Sequence, residues 1–163
     1  MRKLLILLMA LIATMGVHAR PRAKINIMTL PPYERAVLII KKFETLHRPC
    51  HWPTICYGHV VQRGERFAKR QYTEREADAL LRHDLNKMLS FFDGFKRSDA
   101  LLLAVLSYNI GPGAVQKSSV YKKLKSGDRN IFKAYTSHCH YRGKFHKGLY
   151  NRRCVELAAL FQP

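Results

Sequence analysis

Residues Leu101–Leu106 are apolar without interruption, so a helix through them presents no polar face to water. Only the middle of a bundle accommodates such a helix, and the rest of the chain must wrap it. Ser98 or Asp99 stands where an N-cap belongs, and Gly111-Pro112-Gly113 stands where the helix must end. The flanking sequence supplies the wrapping elements. Pro31 and Pro32 open a helix near Tyr33, with Val37, Ile40 and Glu44 recurring on one face until Pro49 stops it. Thr73-Glu74-Arg75-Glu76 is a capping box, and the helix it starts runs to about Phe92. Shorter helices follow at Val120–Lys125 and Arg129–Ser137, and a last one at Leu149–Phe161.

One segment breaks the helical pattern. Residues 52–62 are rich in β-formers (Trp52, Thr54, Ile55, Tyr57, Val60, Val61) and predict a short hairpin before the Arg63-Gly64 turn. One small hairpin among about six helices is an α+β class in which helices dominate. No internal repeat or low-complexity run divides the chain, so residues 31–163 are expected to form one domain, with residues 20–30 an extended arm before it.

The N-terminus carries an address. Arg2 and Lys3 precede an apolar stretch from Leu4 to Gly16, and Val17-His18-Ala19 fits a small-residue cleavage pattern. Thirteen apolar residues are too few for a membrane span, which takes about 20. Residues 1–19 are therefore expected to be a signal peptide, and the protein periplasmic or extracellular. The formal charge is +18, and between Ala100 and Val155 eleven Lys or Arg face a single acid, Asp128. Such a balance calls for an anionic partner, and outside the cytoplasm wall polymers and acidic lipid head groups come before nucleic acid. Cys50, Cys56, Cys139 and Cys154, an even number in an oxidising compartment, favour disulfides. Of three pairings, proximity favours Cys50–Cys56 with Cys139–Cys154. His51, His59, His138 and His140 lie near them, but the spacings fit no standard zinc pattern, and no metal is expected.

Chemistry concentrates around Glu44. Its carboxyl shares the apolar face of its helix and sits in the last turn, where burial and the negative end of the helix dipole both disfavour its charged form. A group that must donate a proton to a leaving oxygen needs such surroundings. Ten residues on come a hydroxyl, a phenol and an imidazole in Thr54-Ile55-Cys56-Tyr57-Gly58-His59.

Phe43-Glu44 followed by that hexapeptide resembles the Phe-Glu and Thr-Ile-Gly-Tyr-Gly-His signature of phage-type lysozymes, glycoside hydrolase family 24. Further matches follow in order. Residues 77–85 look like the family's helix after the hairpin, Ser107-Tyr108-Asn109-Ile110-Gly111-Pro112-Gly113-Ala114 resembles its Phe-Asn-x-Gly-x-Gly turn, and Gly148–Glu156 resembles its Gly-Leu-x-x-Arg-Arg-x-x-Glu segment. The resemblance implies a lysozyme-like fold with a hairpin facing a helical lobe across a saccharide cleft. It implies cleavage of the β-1,4 bond between N-acetylmuramic acid and N-acetylglucosamine in peptidoglycan. Such an enzyme is expected to need no cofactor and to act as a monomer. It makes Glu44 the proton donor, Thr54 the residue that holds the attacking water, and His59 with Asp84 a buried supporting pair. It also makes Arg153 the ion-pair partner of Glu44, which favours the charged carboxylate and opposes the two effects above, and sequence does not decide between them.

The match has one gap. The family carries an Asp, occasionally another residue, eight residues after its Glu, whereas no Asp or Glu lies between Thr45 and Gly64 here. An inverting route is then expected, with His51 a candidate base because imidazole titrates near neutrality; His51 could equally cover the shortened turn. Trp52 and Tyr57 are candidates for stacking on sugar faces or for packing the hairpin. Asn109 is a candidate for reaching Glu44 or the substrate, or for capping its helix. Loss of turnover with the missing carboxylate, leaving a cationic peptidoglycan-binding module, is the alternative.

Overall fold

The computed structural model describes residues 26–163. The expected signal peptide lies outside the described residues. Where an extended arm was expected, Ile27–Thr29 forms a 3-10 turn, because the Asn26 side chain accepts from Met28 N–H and folds the backbone locally. Proline at the first position opens α1, Pro32–Glu44, and its buried face is Ala36, Val37, Ile39 and Ile40. The helix ends at Glu44 rather than at Pro49, because Thr45 turns the chain away with φ 57°. A β-branched residue is costly at positive φ, of order 1–3 kcal/mol, and such a cost persists only where surrounding contacts enforce it.

After a 3-10 turn at Pro49–His51 the chain forms two short antiparallel strands, β1 (Thr54–Ile55) and β2 (His59–Val60), with Thr54 opposite Val60 and Ile55 opposite His59. The Thr73 capping box is present: its hydroxyl accepts from Glu76 N–H at 3.3 Å and the Glu76 carboxylate accepts from Thr73 N–H at 2.9 Å. Arg70, and then the Thr73 N–H and the Thr73 hydroxyl, which also donates to Glu76 Oε2 at 2.8 Å, hold the Glu76 carboxyl down to about 2. The box starts α2, Glu74–Ser90.

Next comes α3, Arg97–Ile110, in which every residue from Asp99 to Ser107 is buried. Neither Ser98 nor Asp99 caps it; Lys96 is the N-cap, and Asp99 turns inward to pair with Arg129 at 2.7 Å. Leu102, Leu103 and Leu106 are fully buried, each removing from water an amount of apolar surface that stabilises by about 2 kcal/mol. The remaining elements wrap this axis: α4 (Pro112–Lys117), α5 (Ser119–Lys125), α6 (Phe132–Thr136) and α7 (Lys147–Leu160). Helices α1, α2, α4 and α7 all touch α3. A second hairpin, β3 (His140–Tyr141) and β4 (Lys144–Phe145), precedes α7 and was not expected from sequence. The class is α+β with helices dominant. Among the described residues no helix is long and apolar enough to cross a membrane.

Candidate functional site

The site is assembled where α1 ends. Beyond Thr45, the His47 N–H donates to the Cys56 carbonyl at 2.8 Å and the His47 Nδ1 lies 3.2 Å from the same oxygen. These contacts pull the β1–β2 turn onto the exit of α1. The turn meets the Glu44 carboxyl at Gly58, where a Cβ would lie 3.3 Å from Glu44 Oε2 and φ is +95°. Glycine is required there twice, for its backbone angle and for the space. Cys56 stands where the signature of phage-type lysozymes has its first glycine, and it keeps a left-handed φ of 52°.

From the other side Arg152 of α7 donates from Nη1 to Glu44 Oε1 at 2.6 Å and from Nε to Glu156 Oε1 at 2.9 Å. Burial works against the Arg152 cation, but the Glu156 and Glu44 carboxylates outweigh it and raise its pKa. Arg153, expected to pair with Glu44, instead donates to Glu156 Oε2 at 2.7 Å and to the Asn109 side-chain oxygen. Adjacent residues on a helix point about 100° apart, so only one of the pair can face α1. Asn109 is thereby committed to Arg153, not to Glu44. The Glu44 side chain itself stays 20% exposed, which leaves its carboxyl reachable from solvent.

The other expected residues separate. Thr54 heads β1, partly buried, and His59 sits between Asp84 (Nδ1 to Oδ2, 2.8 Å) and Glu65 (Nε2 to Oε2, 3.0 Å), so His59 and Asp84 are in contact and Glu65 joins them. Tyr57 packs rather than stacks on a sugar: it is 7% exposed, and its hydroxyl donates to Glu74. Burial first, and that carboxylate second, push the Tyr57 phenol up to about 12. Tyr108, which sequence reasoning did not single out, donates to the Tyr57 carbonyl at 2.9 Å and ties α3 to the hairpin. Trp52 is 36% exposed beside the site segment and remains open to a ligand. His51 accepts from Arg48 N–H through Nδ1 at 3.2 Å and stacks edge-on against His47, which makes it a cap of its own turn.

In the structure no disulfide joins the four cysteines, so neither Cys50–Cys56 nor Cys139–Cys154 is formed there. Cys50 is exposed on its turn, whereas Cys56 faces the other way, into a space lined by Arg70, Tyr72 and Glu76. Burial pushes the Cys56 thiol up to about 11, and thiolate is the reactive form. With a thiol-specific disulfide reagent at neutral pH, Cys50 is therefore expected to react in the native protein and Cys56 only after denaturation. Substitution Cys50→Ser should remove the fast phase; a native protein with no titratable thiol would restore the paired arrangement. Among the described residues no three His, Cys, Asp or Glu side chains converge as a metal site.

A cavity of about 720 Å³, lined by Pro32, Tyr33, Leu89 and Leu101 among others, opens at the N-terminal end of α1. The helix of 13 residues places that end about 18 Å from Glu44, so the cavity is no part of this site.

The sequence matches the phage lysozyme family model over residues 41–156. It is 34% identical over 119 residues to the SAR-endolysin of Escherichia phage Mu, an alignment covering 64% of this chain and 63% of that relative. The chain thus spans less than two thirds of the relative's length. Among solved structures, the endolysin from Escherichia coli O157:H7 phage FAHEc1 shares the fold with a TM-score of 0.66 at 23% identity, covering 82% of this chain and 94% of that one. The muramidase domain of SpmX from Asticaccaulis excentricus gives 0.63 at 25% identity, covering 78% and 95%.

Proposed function

The chain belongs to the phage lysozyme family, and from that premise we propose that it is a lysozyme cleaving the β-1,4 bond between N-acetylmuramic acid and N-acetylglucosamine in peptidoglycan. The observation that carries the proposal is the Glu44 carboxyl, held between Gly58 and Arg152 and open to solvent on its remaining side. That is where a general acid must stand to serve a polymer that lies across the protein.

In this reading protonated Glu44 gives its proton to the glycosidic oxygen as the bond from that oxygen to C1 breaks. Water held by the Thr54 hydroxyl attacks C1 from the opposite face, and its proton leaves to solvent. No carboxylate between Thr45 and Gly64 is available to form a glycosyl-enzyme bond, so the anomeric configuration inverts. His51, engaged with Arg48, is assigned no step. Trp52 offers its exposed face to a sugar ring.

The basic and then apolar residues 2–16 support export, which would bring the enzyme to the wall. The phage Mu relative is an endolysin, and that kinship supports a bacteriolytic role. The positive charge would concentrate the protein on anionic wall polymers, an attraction that salt screens.

Product analysis tests the proposal. Digestion of purified peptidoglycan is expected to release fragments with a new reducing muramic acid end of inverted configuration. Tight binding without new reducing ends would show instead a wall-binding module that has lost turnover.

A further inference from the structure

None of the residues gathered around Glu44 comes from the β3–β4 hairpin, which stands exposed to solvent along its length. Every residue from His140 to Gly148 is exposed. Arg142 and Gly143 have φ of 50° and 77°, so a two-residue turn of mirror-image type closes the hairpin tightly, with Tyr141 opposite Lys144 and His140 opposite Phe145. Two large aromatic side chains are left in water, Tyr141 at 59% and Phe145 at 60% exposure. Phe145 leans on Tyr150 at 5.8 Å and the Arg142 guanidinium lies 5.3 Å from the Tyr141 ring, but neither contact covers an aromatic. Arg142, Lys144 and Lys147 flank them, and no Asp or Glu occurs between Asp128 and Glu156.

We propose that this hairpin docks the protein on an anionic phospholipid surface, with Tyr141 and Phe145 entering the head-group layer and Arg142, Lys144 and Lys147 facing lipid phosphates. Aromatic rings with an apolar body prefer the membrane interface, and long basic side chains reach phosphate while their stems lie on apolar surface. The charge fits: three cations and no acid within eight residues match an anionic sheet, and each cation near such a surface tightens binding about five-fold.

The shape decides between this partner and a polymer. A glycan is gripped by aromatics accompanied by carboxylate or amide groups that bond its hydroxyls, and residues 140–148 contain no Asp, Glu, Asn or Gln. A single-stranded nucleic acid is tracked along a basic groove, whereas this hairpin protrudes. A protruding tip enters a soft interface.

The test uses the full chain and sedimentation with vesicles of phosphatidylcholine alone or mixed with phosphatidylglycerol. Residues 1–25 are identical in every variant, so the readout is the extra affinity that phosphatidylglycerol confers. Arg142→Asn with Lys144→Gln is expected to reduce that extra affinity about 25-fold, five-fold for each cation; asparagine is chosen because it tolerates the left-handed backbone. Lys117→Gln with Lys122→Gln removes the same charge from exposed positions on α4 and α5 and should cost far less. Thermal melting confirms that both pairs fold.

In a Trp52→Phe background, Phe145→Trp introduces a single tryptophan whose emission should shift to the blue on mixed vesicles and be quenched by brominated phosphatidylglycerol. Equal losses from the two charge pairs, or an unshifted emission from the tryptophan placed on the hairpin, would overturn the proposal. So would a hairpin pair that weakens capture on insoluble peptidoglycan while leaving vesicle binding intact.

Discussion

Glu44→Gln is expected to lower the rate of peptidoglycan solubilisation by about 10²-fold or more while leaving binding to the insoluble wall unchanged. Loss of one positioned acid–base group removes about 10²–10⁴-fold. Glutamine is the discriminating replacement because it changes little else. Its side-chain oxygen can still accept from Arg152, which now reaches Glu44 at 2.6 Å, and its size suits the space left by Gly58. Arg152 keeps Glu156 as a carboxylate partner, so the substitution strands no buried charge. The variant should therefore melt within a few degrees of the parent, and a large loss of rate can be assigned to the missing proton. Bacterial killing that survives this substitution undiminished would mean that charge alone does the work, and the glycosidase reading would fall. Loss of wall binding together with rate would mean that Glu44 holds the glycan and does not protonate it.

Much of the scaffold behind this prediction was legible before any coordinates. The run Leu101–Leu106 has no polar face, and it is the buried axis. The Thr73 box names its own hydrogen bonds, and they form. The order of Phe43-Glu44, the Thr54–His59 segment and the paired arginines carried the family resemblance. What was illegible depends on phase and direction.

Whether Arg152 or Arg153 meets Glu44 turns on a rotation of about 100° that a motif of two identical residues does not encode. Nearness in sequence suggested joining Cys50 to Cys56, but φ of 52° at Cys56 aims its thiol inward while Cys50 stays on the surface. The β3–β4 hairpin is two residues per strand, too short for an alternating pattern, and its one signal was Gly143 between aromatic and basic residues. The departure of Thr45 into positive φ left no trace at all, since threonine is a poor choice there.

Glu156→Ala is expected to have the largest effect on stability, lowering it by about 3–5 kcal/mol, the usual cost of removing one partner from a buried ionic network. Glu156 is fully buried and is the hub of four helices. It accepts from Arg152 at 2.9 Å and Arg153 at 2.7 Å within α7, and from the Tyr135 hydroxyl of α6 at 2.8 Å. Arg152 in turn reaches α1 through Glu44, and Arg153 reaches α3 through Asn109.

Burial, and then the Glu156 charge, hold the Tyr135 phenol well above its ordinary pKa, so it remains a donor to that carboxylate. Alanine would leave the buried Arg152 with Glu44 as its remaining carboxylate partner, the buried Arg153 with only the Asn109 side-chain oxygen, and the Tyr135 hydroxyl with only a long 3.4 Å bond to the Leu102 carbonyl. At about 2–4 °C per kcal/mol for a domain of this size, the melting temperature should fall by about 10 °C. Glu156→Gln keeps an acceptor for Tyr135 and should fall between parent and alanine. Melting of the alanine variant within about 2 °C of the parent, less than the shift of 1 kcal/mol, would show that packing on α3 alone holds α7 in place. Arg152 would then reach Glu44 without help from the network, and the support for the donor would have to be sought in the β1–β2 turn.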